Sequence, residues 1–246
     1  MSKQGGLGDN FYVGGYDLSG DTSALSKISG SIKTLDTTGI NKLAHERIGG
    51  ERDAGMDFTV FWNSLGAHIP LSALPTGDVQ ASYRNGTLLG NPAAEMVAKQ
   101  LNYDPTRGND GALTATVSLV SNGFGLEWGQ QLTAGLRTDT AATNGTSIDT
   151  TASASFGGQA YLQVTAFTGT DVTVKIQDSA DNVTFADVSG LTFAQTTAAP
   201  TTQRIATAAL GTLRRYLRAA TVTTGGVTSV TFAVTVVKNQ NAQVIF

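Results

Sequence analysis

The sequence predicts a mainly β chain organised as two domains, and three observations carry that prediction. First, Leu113, Ala115, Val117 and Leu119 alternate with Thr114, Thr116, Ser118 and Val120. Period-two alternation marks a strand with one face on a core and the other on solvent or a partner. Second, connections such as Asp104-Pro105-Thr106-Arg107-Gly108-Asn109-Asp110-Gly111 are dense in residues that suit turns. Third, the second half is a run of short strand-like segments with no helical pattern among them. That spacing reads as a β-sandwich of roughly 100 residues.

Composition sets the outer limits. At 246 residues the chain has room for one large all-β domain or two smaller ones with real cores. Charged residues are 14% of the chain, against a usual share of roughly 25%. Thr, Ala, Gly and Ser fill the gap and offer little chemistry. With 40% hydrophobic residues in regular alternation, the 29 glycines read as turns between strands. The absence of cysteine removes disulfides, thiolate metal sites and a Cys nucleophile together, leaving stability to packing or subunit assembly. No apolar run reaches the length that spans a membrane. The opening MSKQGGLGDN has no apolar stretch and does not read as a secretory signal. The expectation is a protein that stays in the cytoplasm where it is made, or leaves by a route other than secretion.

The elements follow in order. Gly5-Gly6-Leu7-Gly8 forms a Gly-rich arm, expected to order only against a partner. A strand is expected over Asn10–Leu18, with Phe11, Val13 and Tyr16 as its apolar side chains, and a weaker one over Leu25–Thr38. Ile40–Gly55 is the most charged stretch, carries Gly49-Gly50 at its middle and reads as a long exposed loop. Met56, Phe58, Val60 and Trp62 then share one strand face. Ala67–Leu74 suits a short helix interrupted or started by Pro70, and Asp78–Arg84 is a strand. Asn91–Leu101 holds good helix formers behind a Pro, so propensity favours helix. The alternation of Val97, Lys99, Leu101 and Tyr103 favours strand from about Met96, and with the run that follows it predicts one large hairpin over 96–128.

At Thr138–Ser155 large apolar residues become scarce, which suits a linker or an extended crossing strand. The boundary is placed there, giving domains 1–136 and 137–246. The second is expected to contain strands at Tyr161–Phe167, Val172–Asp178, Val183–Val188, Gln203–Thr207, Arg215–Val222 and Val227–Lys238, the last presenting Val230, Phe232, Val234 and Val236 on one face. Residues 1–136 hold 9 Lys+Arg against 13 Asp+Glu, a net of −4, and residues 137–246 hold 7 against 6, a net of +1. Neither has the basic stripe of a nucleic-acid-binding surface.

Candidate chemistry is sparse. His45 and His68 form no HxH or HxxxH pair, and surface or interface histidines are the preferred reading over a metal site. His45-Glu46-Arg47 lacks a nucleophile and a pocket, so a salt-bridging loop is preferred over catalysis. Asp178-Ser179-Ala180-Asp181-Asn182 lacks the Gly and distal Glu of an EF-hand loop and reads as a hairpin turn. Arg214, Arg215 and Arg218 are split between two strand faces and read as a solvated edge. Gly5-Gly6-Leu7-Gly8 precedes the first strand and has no following helix, so it is no phosphate loop. The Asn-x-Thr triplets at Asn85, Asn144 and Asn182 matter only in a secreted eukaryotic protein. Paired carboxylates in a cleft, which a depolymerase usually needs, are missing. The chain reads as no enzyme, with no cofactor and no metal.

GLGDNFYVGGYDLSGD at Gly6–Asp21, INKLAHERIGGERDAGMDFTVFWN at Ile40–Asn63, and MVAKQLNYDPTRGNDGAL followed by NGFGLEWG resemble major tail (tail tube) proteins of long-tailed phages infecting actinobacteria. VTVKIQDSADNVTFADVSGLTF at Val172–Phe193 resembles the extra β-sandwich, Ig-like or jelly-roll-like, that such proteins carry. The resemblance implies a first domain of two packed antiparallel sheets with a short helix, and an outward-projecting second domain. It implies a structural virion protein whose subunits pair sheet edges in rings of six, stacked into a conduit for DNA. Its implied partners are further copies of itself, a tape measure protein, a tail terminator and DNA passing without sequence-specific binding, with no membrane insertion. Assembly is expected in the host bacterial cytoplasm and residence in the virion tail. Phe11, His45, Glu46, Arg47, Glu51, Arg52 and Asp53 are the expected subunit and ring contacts. A capsid decoration or cement protein, and a carbohydrate-binding tail adhesin stacking sugars on Tyr161, Phe185, Phe193 and Tyr216, remain as alternatives.

Overall fold

The computed structural model describes residues 5–241. Of the Gly-rich arm, residues 5–8 are described and exposed, and residues 1–4 lie outside the described residues. The first half contains β1 (Asn10–Val13), β2 (Tyr16–Asp17), β3 (Thr22–Asp36), β4 (Arg47–Phe61), α1 (His68–Ser72), β5 (Val79–Arg84), β6 (Pro92–Gln100), β7 (Asp104–Arg107), β8 (Leu113–Ser121) and β9 (Glu127–Gln131). The second contains β10 (Arg137–Asp139), β11 (Ile148–Asp149), β12 (Gly158–Gly169), β13 (Thr173–Ser179), β14 (Ala186–Thr192), β15 (Thr201–Ala206), β16 (Tyr216–Val222) and β17 (Val227–Lys238). The chain is mainly β, with antiparallel pairing throughout.

Two apolar cores organise these strands. In the first half, β1, β5 and β6 face β4 and β8. Phe11, Met56, Phe58, Met96, Val117 and Leu119 fill the space between, and Leu71 of α1 closes one end. Phe11 and Phe58 meet edge to face with ring centroids 4.8 Å apart. In the second half, β12 and β17 face the four-stranded sheet β11-β16-β13-β14. Val164, Val174, Ile176, Leu217, Phe232 and Val234 are buried between those layers. The alternation that predicted β17 is realised: Val230, Phe232, Val234 and Val236 all enter this core.

The main sheet is continuous through position 137. Its strand order is β15-β12-β17-β9-β6-β5-β1-β2, with Thr235 and Val236 of β17 paired to Gln131 and Gln130 of β9. The sheet curls until its ends approach each other. Gly15, in the β1–β2 turn, donates its amide to Gln163 Oε1 of β12 at 2.8 Å. At φ 85° a Cβ there would also lie 2.8 Å from the Thr201 nitrogen, so only glycine suits the position.

Several expected boundaries are corrected. The first predicted strand is broken by the Gly14-Gly15 turn, because both glycines have positive φ. Ile40–Gly55 is no long loop: from Arg47 it is β4, paired to β3 from Asp36↔Arg47 to Thr22↔Val60. The expected single hairpin over 96–128 is split. β8 pairs mainly with β4, from Gly55↔Val120 to Phe61↔Thr114, and touches β6 at three positions, Ala98↔Ser121 to Gln100↔Leu119. Part of the expected connection is itself a strand, β7, which turns back on β8. Pro92–Gln100 is strand despite its helix formers, since it lies between β5 and β8–β9. The 138–155 stretch runs along the second core through β10, β11 and bridges at Asn144 and Ala154. The strand expected at Val183–Val188 begins at Ala186, because Asp181 turns the chain first: its Oδ1 accepts the Val183 and Thr184 amides.

Candidate assembly surface

The feature that stands apart from both cores is the outer half of the β3–β4 hairpin. Beyond Gly55 no strand but β3 pairs with β4 among the described residues. The hairpin therefore continues as a two-stranded ribbon, a form that is marginal in water by itself. Pairing sets Ile32 beside Arg52 and Leu35 beside Ile48. Leu35 and Ile48 therefore share one face of the ribbon, and Ile32, three residues before Leu35 on β3 and across a register shift, lies on the other. All three are more than half exposed. In the turn between the strands Ile40 and Leu43 are fully exposed. Covering the exposed part of each is worth about 1 kcal/mol or more per side chain.

Charged residues at the ribbon's end pair locally. His45 Nδ1 lies 3.0 Å from Asp36 Oδ2, and Lys42 meets Glu46 at 2.9 Å. The Thr38 hydroxyl and amide, with a smaller contribution from His45, hold the Asp36 carboxyl below its usual range. Lys33 and Glu51 approach to 3.9 Å. Asp53 Oδ1 accepts the Ala54 amide at 2.9 Å. Arg47 opens β4 opposite Asp36, and the Arg52 side chain runs against Gly125. Of the expected contact residues, His45, Glu46, Arg47, Glu51, Arg52 and Asp53 thus lie together on this ribbon and its turn. Phe11 does not join them: at 3% exposure it sits in the first core against Phe58 and presents no surface to a neighbour.

Among the described residues no strand pairs the outer edge of β3, which runs for 15 residues. An edge of this length is usually blunted against pairing. Here Lys27 and Lys33 and three register shifts, at Thr22/Ala24, Leu25/Lys27 and Ile32/Thr34, interrupt it. Phe61, Trp62, Leu65 and Ile69 are also exposed, at the opposite end of β4. The Trp62 ring meets the His68 ring at a tilt, with centroids 5.1 Å apart, and His68 bonds to the Tyr103 hydroxyl at 3.0 Å.

A buried polar seam joins the two halves, and sequence reading found none of it. Glu127 of β9 accepts from Arg204 Nη2 of β15 at 3.0 Å, from Gln159 Nε2 at 3.0 Å, and from the Tyr161 hydroxyl. The Arg204 guanidinium lies 3.6 Å over the Phe124 ring. Burial, then the neighbouring Glu127 charge, pushes the Tyr161 phenol well up. Alongside, Arg84 of β5 donates to Thr133 at 3.2 Å and to Thr235 of β17 at 3.0 Å. Glu95 accepts from Ser82 at 2.7 Å, and burial pushes its carboxyl up to about 7.

The other sequence candidates are dispersed. His45 lies in the ribbon turn and His68 in α1. Among the described residues no three metal-ligating side chains come together. Arg214, Arg215 and Arg218 each have a separate partner: Asp178 at 3.8 Å, Asp149 at 2.6 Å and the Phe185 ring at 4.0 Å. Tyr161 and Phe193 are buried, which removes them as a sugar-stacking platform.

No family model matches the sequence, and no curated protein matches it. Among solved structures, a chain from the virion of a native gene transfer agent particle is similar with a TM-score of 0.41 and 14% identity, covering 51% of this chain and 98% of that one. A chain from the tail of an empty gene transfer agent particle, refined with C6 symmetry, gives 0.37 and 14%, covering 44% and 81%. The SPP1 Dit protein, titled a paradigm of the hub adsorption apparatus in phages infecting Gram-positive bacteria, gives 0.33 and 13%, covering 92% and 98%. At these scores the likenesses carry no weight for function.

Proposed function

We propose that this chain is a structural subunit of a phage tail, and that copies of it assemble side by side into rings of six that stack as a tube. The observation that carries the reading is the β3–β4 ribbon, which extends past its own sheet with Ile32, Leu35 and Ile48 uncovered. A monomer gains nothing from such an element, and a neighbouring subunit that covers it gains apolar burial and a strand edge. The resemblance of Ile40–Asn63 to tail tube proteins supports the same reading, because the ribbon is built largely from that segment. Residues 1–136 form the wall of the conduit, and their net charge of −4 favours sliding of DNA over its retention. Residues 137–246 face outwards. The tape measure, the terminator and passing DNA are the remaining partners, with the virion tail as the location and the host cytoplasm as the place of assembly.

Negative-stain electron microscopy of the purified protein over a concentration series tests this. Hollow tubes or stacked rings with a central channel are expected. Discrete trimers, the form expected of a capsid decoration protein, would overturn the tube reading.

A further inference from the structure

The ribbon has a counterpart at the far end of β4. Phe61 closes that strand, and Trp62, Leu65 and Ile69 follow it, each of the four at least 40% exposed. Local bonds fix the surface they make. The Trp62 amide donates to the Leu113 carbonyl at 2.9 Å. The Asp21 carboxylate accepts Asn63 Nδ2 and the Ala67 amide, both at 2.9 Å, and so sets the turn that carries Leu65. Leu71 anchors α1 in the first core, while Ile69, two positions earlier, stays outside. Residues 61–77 contain no Asp, Glu, Lys or Arg, the depletion of charge that marks the centre of an interface.

Size and position indicate what covers this surface. At these exposures the four side chains present on the order of 400 Å² of apolar area. Leu35, Ile40, Leu43 and Ile48 at the ribbon end present about as much. A standard interface takes about 800 Å² from each partner, somewhat over half of it apolar, so either surface supplies the apolar part of one. β4 spans about 50 Å over its 15 residues, which puts the ribbon turn out of reach of its own chain's Trp62. A second copy meets no such limit. Contact between two different surfaces of one chain leaves a free surface at each end of the pair, and so repeats from copy to copy. The charges of the turn need no partner across the contact, since Lys42 pairs with Glu46 and His45 with Asp36.

We propose that the β3–β4 turn, led by Ile40 and Leu43, docks on the Trp62–Ile69 surface of the next subunit, head to tail. The contact rests on self-assembly of this chain as a tail subunit and adds the surface that receives the ribbon.

Sedimentation velocity of two full-length variants, separately and mixed, tests it. The turn variant is Ile40→Asp, Leu43→Asp, and the surface variant is Leu65→Asp, Ile69→Asp. Each is expected to stay monomeric where the wild type assembles. Their equimolar mixture is expected to form a 1:1 pair that grows no further, because each variant supplies the surface the other has lost. Leu65→Asp alone, at a side chain 88% exposed in the monomer, covers the case that Ile69→Asp harms α1, and is expected to weaken association about tenfold. A surface variant that assembles like the wild type, or variants that fail to pair when mixed, would overturn the proposal and leave the tail-subunit reading standing. A wild type that stays monomeric at every concentration would overturn both.

Discussion

Replacing Arg204 with Ala asks how much the buried seam contributes to holding the two halves together. The side chains of Arg204 and Glu127 are 8% and 3% exposed and meet at 3.0 Å. Without the guanidinium, the Glu127 carboxylate keeps only the Tyr161 hydroxyl and the Gln159 amide as donors. Removing one partner of a buried pair costs about 3–5 kcal/mol, because the remaining charge is uncompensated. Loss of the stack on Phe124 adds about 0.5–1 kcal/mol. A total near 4 kcal/mol lowers the melting temperature by roughly 8–16 °C in a chain of this size. Urea unfolding at pH 7, followed by the fluorescence of Trp62 and Trp128, reads it directly. The double variant Glu127→Leu, Arg204→Met removes both charges and is expected to cost less than Arg204→Ala alone. A single-variant loss below about 1 kcal/mol, or a double variant worse than the single, would refute this account of the seam.

Glu95 sets a pH dependence. Burial raises its carboxyl from 4.5 to about 7, so the folded chain holds a proton that the unfolded chain has released. Stability from the neutral form is present below pH 4.5 and is lost as pH rises towards 7. Relative to Glu95→Gln, the wild type should lose about 3 kcal/mol across that window, and parallel stability curves for the two proteins would count against the assignment. Phe11→Ala should cost about 3–5 kcal/mol in the midpoint of unfolding, as a core aromatic does, and should not act as an assembly variant with normal stability. Leu35→Asp with Ile48→Asp should leave monomer stability within about 0.5 kcal/mol while abolishing rings and tubes in electron micrographs. Tubes of normal length from that variant would remove the ribbon from the assembly contact.

What could be read from the sequence follows the distance over which each residue finds its partner. Met56, Phe58 and Val60 alternate because one face of that part of β4 meets a core, and a window of a few residues contains the whole signal. The earlier part of the same strand, Arg47–Asp53, is solvated on both faces. Glycines and charges at that site look like a loop because no core selects against them. The hairpin expected over 96–128 departs from the structure for a different reason. β8 reads correctly as a strand, but its main partner is β4, about 60 residues earlier in the chain, and neighbourhood in sequence pointed to β6 instead. The seam left no local trace: Arg84, Glu95, Glu127 and Arg204 look like ordinary surface charges until the curled sheet brings them face to face. The charged residues that the family resemblance marks as expected contacts fall on the ribbon, whereas Ile32 and Leu35, its apolar part, carry no signal inside a weak strand.

The seam and the ribbon together suggest a division of labour within one chain. The Glu127–Arg204 pair, with Gln159 and Tyr161, ties β15 and β12 to β9, and Arg84 ties β5 to β17, so the second half is held against the first. The ribbon is the opposite kind of element, poorly covered and held by its own ladder. In a stacked assembly these properties belong together. A rigid body transmits register from one ring to the next, and a ribbon that gains its cover only from a neighbour makes assembly cooperative. The Arg204 and ribbon variants therefore separate two failures. Loosening the seam should give subunits that still associate but build irregular rings, whereas charging the ribbon should give well-folded subunits that do not associate at all.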